Sequence, residues 1–262
     1  MGSRTSVVLG FVFAALLTLA AMIALTLGVN VAGAAWPSGR GHLVLAALVE
    51  VGVYFGFARA LAGRGETRLR VPFLWPSASV VLLSCALGVF LHGPLDFLDA
   101  CVQRLAPLPE SQLRERAMAL LPALALERAA LFVLVAGLVP LVEEIFFRGA
   151  LFGRLELLIG SSWTLLITSL CFTVSHAEPR SWLPLLAVAY ILGSMRRNFG
   201  SLWPPILLHA TFNATTLGVV FMSPRDTLVR PEPSVVAAIS GTLASAVLIR
   251  FLWSTPRNAR LA

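Results

Sequence analysis

The chain has 262 residues, of which 58% are hydrophobic and 13% charged, and its mean hydropathy is +0.85. Soluble domains carry about 45–50% apolar and 25% charged residues, so this composition excludes one and points to an integral membrane protein. All twenty basic residues are arginine and the formal charge is +7; no basic stripe with interleaved aromatics occurs, so the excess reads as arginines flanking spans beside anionic lipid, with the bilayer as partner and no nucleic acid.

The first uncharged run covers residues 7–31. It is well beyond the 7–15 residues of a signal-peptide core, and it reads as a transmembrane helix. The second span falls at residues 43–61 and is followed by Arg64, Arg68 and Arg70. A third is expected at 78–97, then a polar connection from Asp99 to Glu127 whose second half has an amphipathic pattern suited to the membrane interface. The fourth is expected at 129–152, and four more follow at 163–177, 182–195, 202–222 and 235–253, the fifth and sixth being short for a crossing. The fold class is therefore all-α, a polytopic membrane bundle of about eight transmembrane helices. Residues 1–128 form N-terminal helices and an interfacial segment, 129–222 a core of four spans, and 223–262 a last helix and tail. Cys85, Cys101 and Cys171 stand at unrelated spacings that suggest neither a disulfide framework nor a thiolate metal site. Counting arginines across the loops places both termini in the cytoplasm.

Within the fourth span, Glu143, Glu144 and Arg148 interrupt an otherwise apolar run. Charges inside a spanning helix cost roughly 2.5–3.5 kcal/mol each on insertion scales and persist where they pair or do chemistry. Glu144 and Arg148 are i,i+4 neighbours in the favoured order for an ion pair, whereas Glu143 projects about 100° away and is left free. On the fifth and seventh spans stand His176, and His209 with Asn213 one turn later. Taken singly, each polar group reads equally well as an interhelical hydrogen bond. Together, a glutamate, two histidines and an asparagine supply a general base, a water-orienting group and oxyanion donors, the set that amide hydrolysis needs. His42 and His92 lie near span ends without such company and read as interfacial.

At these residues the chain resembles the CPBP family of intramembrane endopeptidases, which includes the type II CAAX prenyl proteases and the Abi-type immunity proteins. The family's motifs EExxxR, FxxxH and HxxxN appear in order as Glu143-Glu144…Arg148, Phe172…His176 and His209…Asn213. The resemblance covers about residues 131–222. It implies that Glu143 and His176 activate water, that His209 and Asn213 stabilise the oxyanion, and that Glu144 and Arg148 support the site; catalysis without a cofactor is the favoured reading. Family members have also been described as metalloproteases, and Glu143, His176 and His209 are the alternative zinc set, although the chain lacks HExxH. The expected substrate is a membrane-associated peptide or protein, and the expected setting a bacterial inner membrane. A non-catalytic scaffold or immunity protein and a proton-relaying transporter are the other function classes these residues admit. The geometry expected of a protease is convergence of Glu143, His176, His209 and Asn213 on one water-accessible cavity, with Glu144 turned away toward Arg148.

Overall fold

In the computed structural model, residues 4–35, 41–63, 72–109, 111–112, 124–222 and 234–254 are described. These residues form eight long helices and no sheet: α1 (Arg4–Ala35), α2 (His42–Ala62), α3 (Ala78–Leu105), α4 (Ala125–Ile159), α5 (Ser161–Ser175), α6 (Trp182–Phe199), α7 (Trp203–Met222) and α8 (Val235–Ser254). Six of them, all but α5 and α6, are long and apolar enough to cross a membrane, and the protein is a multi-pass membrane protein. The expected interfacial amphipathic segment lies mostly outside the described residues.

Two boundaries differ from the sequence expectation, and both matter for the site. Helix α3 runs to Leu105, so Asp99, Gln103 and Arg104 continue the helix instead of opening a loop. It breaks at Leu91 because Pro94 has no N–H for the Phe90 carbonyl one turn back. The bared end faces Gly241 of α8, where a Cβ would lie 2.7 Å from that carbonyl oxygen. Helix α4 continues to Ile159, past residue 152 where the fourth span was expected to end and past Arg154 just beyond it. Arg154 instead donates to the carbonyls of Leu61 and Ala62 at 2.9 and 3.4 Å, capping the C-terminus of α2 with a cation.

The bundle is organised around α4. More than half of its most apolar stretch is buried inside the protein, against a third or less in the other long spans. It packs against α2 and α7 along its middle, and against α1 and α5 near its end, while α5 continues the wall through α6 to α7 and α3 to α8. The core on the α2 side is aromatic: the Tyr54 ring lies 5.4 and 5.5 Å from those of Phe146 and Phe147.

Helix α4 is not a regular α-helix. Its hydrogen bonding widens to the π pattern over Leu134–Leu138 and Ile145–Leu151, on either side of the α-helical turn Val139–Glu144. In the first of these segments the Val139 N–H reaches back five residues to the Leu134 carbonyl. The next carbonyl, that of Val135, would need the N–H of residue 140, which is proline. The helix therefore leaves the Val135 oxygen bare, and a neighbour has to satisfy it.

Candidate active site

The site starts from a turn far from it. Helix α4 passes into α5 through Gly160 alone, whose φ of +79° is a left-handed conformation that glycine adopts without a Cβ penalty. Glu143 precedes this glycine by 17 residues and His176 follows it by 16. At 1.5 Å per residue both stand about 25 Å from the turn, level with each other on neighbouring helices. A helix ending at Arg154 would leave His176 at a different depth; the longer α4 removes that mismatch.

Around α4 the polar groups form a buried row. Arg148 is 0% exposed, and its guanidinium donates to Glu144 Oε1 at 2.8 Å and to the Ala189 carbonyl on α6 at 3.0 Å. It also lies 4.3 Å over the Phe172 ring. From α6, Arg196 donates to the Arg148 carbonyl at 3.1 Å, taking up an oxygen in the second π segment. These contacts dock α6 and α5 against the motif helix.

His209 joins the two glutamates. Its Nδ1 donates to Glu144 Oε1 at 3.2 Å, and its Nε2 lies 3.6 Å from Glu143 Oε2. Glu144 therefore does more than the sequence suggested: besides neutralising Arg148 it orients the imidazole. Glu143 and His209 are 2% and 5% exposed.

His176 stands at the end of α5 and is exposed where Glu143 is not. Its Nδ1 donates to the Phe172 carbonyl at 2.8 Å, which leaves Nε2 as the acceptor of the neutral ring. The Phe172 ring lies 4.7 Å from His176 and 5.7 Å from His209, so this one aromatic spaces both histidines and carries Arg148 on its face. The residue after His176, Ala177, has a φ of +52°, an unusual conformation for a residue with a Cβ, and it turns the chain sharply away from the histidine. Among the described residues no direct hydrogen bond or ion pair joins His176 to Glu143.

Asn213 is placed differently from its expected role. Its amide donates at 2.9 Å to the Val135 carbonyl, the oxygen left bare by Pro140. It ties α7 to α4 about two turns away from Glu143. His92, read from the sequence as interfacial without company, has a partner on α7: Nε2 donates to the Phe212 carbonyl at 3.0 Å, with the two rings stacked 4.0 Å apart.

Two groups on α2 escaped the sequence reading. Glu50 lies against Glu143 and interacts electrostatically with it, with His176 and with His209. Tyr54, one turn further on, hydrogen-bonds Ser175 beside His176. The signal was present, because Glu50 is the one charged side chain between His42 and Arg59 in an apolar span. No motif contains it.

As a donor set for zinc the arrangement is incomplete: among the described residues no group of three or more His, Cys, Asp or Glu is arranged to hold a metal ion. His176 keeps Nε2 as its free nitrogen, and His209 has a carboxylate on each side.

No curated protein and no solved structure matched the chain. A family model did: residues 125–215 match the one described as Type II CAAX prenyl endopeptidase Rce1-like. The matched stretch runs from the start of α4 into α7 and contains all three motifs with every residue of the buried row. On these grounds the chain is a multi-pass membrane protein in which residues 125–215 are similar to the CAAX-protease family.

Proposed function

We propose that this protein is an intramembrane endopeptidase that hydrolyses a peptide bond of a membrane-associated protein or peptide, with glutamate as the general base and no metal. The family match supports peptidase activity of the CAAX type. The observation that carries the mechanism is the meeting of Glu143 with His209 at 3.6 Å inside a bundle whose spans hold few other charged groups.

In this reading a water held between Glu143 and His176 Nε2 is the nucleophile. Glu143 takes its proton as the water attacks the scissile carbonyl, and His209, doubly protonated between its two carboxylates and oriented by Glu144 at Nδ1–H, donates to the oxyanion through Nε2–H. Glu144 and Arg148 hold that imidazole in place. Asn213 fixes the register of α7, on which His209 rides; a direct part in the oxyanion hole rests on the resemblance alone. The glutamic rather than metallo assignment is supported by the donor set: among the described residues no three His, Cys, Asp or Glu side chains are arranged to hold one metal ion. The setting proposed is a bacterial inner membrane with both termini cytoplasmic, on the distribution of arginines between loops.

The experiment is hydrolysis of an internally quenched farnesyl-CAAX peptide by the protein in proteoliposomes. Glu143→Gln should lower kcat by at least about 10³-fold, toward the upper end of what a general base contributes, because the buried row is disturbed with it. A scaffold would bind its partner unchanged in the same variant, and a transporter would lose pH-coupled flux. Wild-type turnover equal to that of Glu143→Gln overturns the assignment.

A further inference from the structure

Glu50 lies on α2, outside the matched segment and outside all three motifs. Ala47, one turn before it, packs with Leu134 and Val139 of α4, and Tyr54, one turn after it, packs with Phe146 and Phe147, so Glu50 sits on the face of α2 turned to α4 at the level of Glu143, and the two carboxyls interact there. Carboxylate oxygens only accept, so two carboxyls that face each other can hydrogen-bond only with a proton on one of them. Two ionised carboxylates at that separation repel, and one proton between them turns the repulsion into a strong charge-assisted bond. Among the described residues, the other titratable groups facing Glu50 are His176 from α5, His209 from α7 and Tyr54 on its own helix. Helix α1, which also packs against α2, has no ionisable side chain along Thr5–Ala34.

Accessibility separates the two carboxyls. Glu143 is 2% exposed, whereas Glu50 is partly exposed and His176 more so. A substrate or a proton entering from the His176 side meets Glu50 before Glu143. Tyr54, by holding Ser175, fixes the face of α2 that carries Glu50 against the end of α5 that carries His176.

We propose that Glu50 is a further catalytic carboxyl of this site, forming with Glu143 a pair that shares one proton. The inference rests on the endopeptidase reading above. Glu143, as carboxylate, accepts a proton from the attacking water as its oxygen bonds to the scissile carbon. Glu50, as carboxylic acid, gives its proton to the amide nitrogen as the C–N bond breaks. One water is consumed, one carboxylic acid and one amine are formed, and the proton gained by Glu143 passes back across the pair to Glu50. The arrangement divides the acid and base roles between two helices, only one of which lies in the matched segment.

The test uses the full-length protein in proteoliposomes with two readouts, on wild type, Glu50→Gln, Glu50→Asp and Glu143→Gln. Infrared difference spectra reveal a protonated carboxyl at neutral pH, and the quenched farnesyl-CAAX peptide reports the pH profile of kcat. Expected are a carboxylic-acid band in wild type that both Gln variants lose, and a kcat lowered about 10²–10⁴-fold in Glu50→Gln with loss of one limb of the profile. Glu50→Asp should recover part of both, which a purely packing role would not explain. Wild-type kcat and profile in Glu50→Gln overturn the proposal, as does a wild-type spectrum without the band. A wild type that shows the band, loses it in Glu50→Gln and yet cleaves no peptide sinks the endopeptidase reading while leaving the carboxyl pair standing.

Discussion

Arg148 is the residue on which most of the buried row depends. One guanidinium serves a carboxylate, a carbonyl on α6 and an aromatic face, each on a different side. Removing it leaves the buried Glu144 carboxylate with the His209 imidazole but without its guanidinium, and one-sided loss of a buried pair costs about 3–5 kcal/mol. Arg148→Ala should therefore lower the amount of folded protein in the membrane as well as activity, measured by quantitative blotting beside wild type. Adding Glu144→Gln should restore part of the level but no activity. Arg148→Lys should behave like the alanine variant, because an ammonium cannot span the 2.8 and 3.0 Å contacts that the planar fork makes in two directions. The metal-free reading is tested at the same residues. With no three donor side chains arranged to hold one metal ion among the described residues, treatment with phenanthroline should leave peptide hydrolysis and thermal stability unchanged, and purified protein should hold far less than one zinc per chain. Activity lost with the metal and restored by zinc would return the assignment to the metalloprotease.

At the scale of the helix, Pro140 and Asn213 form a unit separated by more than seventy positions. The proline withholds one N–H, the π segment moves the unpaired oxygen to Val135, and the asparagine supplies the missing donor. Asn213→Ala leaves a buried carbonyl unsatisfied and should cost about 1–3 kcal/mol, seen as a lower melting temperature in detergent. Pro140→Ala returns an N–H to the Val135 oxygen, so the double variant should be more stable than Asn213→Ala alone. If instead the two losses simply add, the amide and the proline are not coupled through that oxygen. The same irregularity explains how both glutamates stay buried. In a central helix with partners on several sides, neighbouring residues about 100° apart can each find a helix to face: Glu143 meets α2 and α7, and Glu144 meets α7 while pairing along its own helix with Arg148.

Across the whole bundle, α7 is seated by glycine as much as by apolar contact. A Cβ on Gly88 of α3 would come within 2.6 Å of the Leu208 carbonyl and 3.0 Å of Thr211 Cβ. Backbone on the α7 side cannot give way cheaply, and Leu208 adjoins His209. Gly88→Val should thus displace α7, lowering melting temperature and cutting hydrolysis by an order of magnitude or more although it lies outside the site. Near-wild-type hydrolysis in a folded Gly88→Val protein would show that α7 tolerates the shift. This crossing and the α3–α8 crossing at Gly93 and Gly241, where backbone meets backbone, follow the small-residue packing expected where lipid gives no hydrophobic drive between helices.

Composition and patterning by themselves determined that the protein is an all-helical membrane bundle, because apolar runs of span length separated by arginine and proline breaks have no other stable form in lipid. Three short motifs also located Glu143, Glu144, Arg148, His176 and His209, since a charge in an apolar helix is costly enough to be visible in a single sequence. Only the tertiary structure decided which groups meet. The level match of Glu143 and His176 depends on α4 running on to Gly160. Local patterning ends that helix too early, near Arg154, because the partners that absorb this arginine lie on α2, 93 positions earlier in the chain. Asn213 went to a carbonyl exposed by a π segment, which leaves no periodic trace in the residues. Glu50 entered the site by the packing of α2 on α4, a long-range contact that no local spacing encodes.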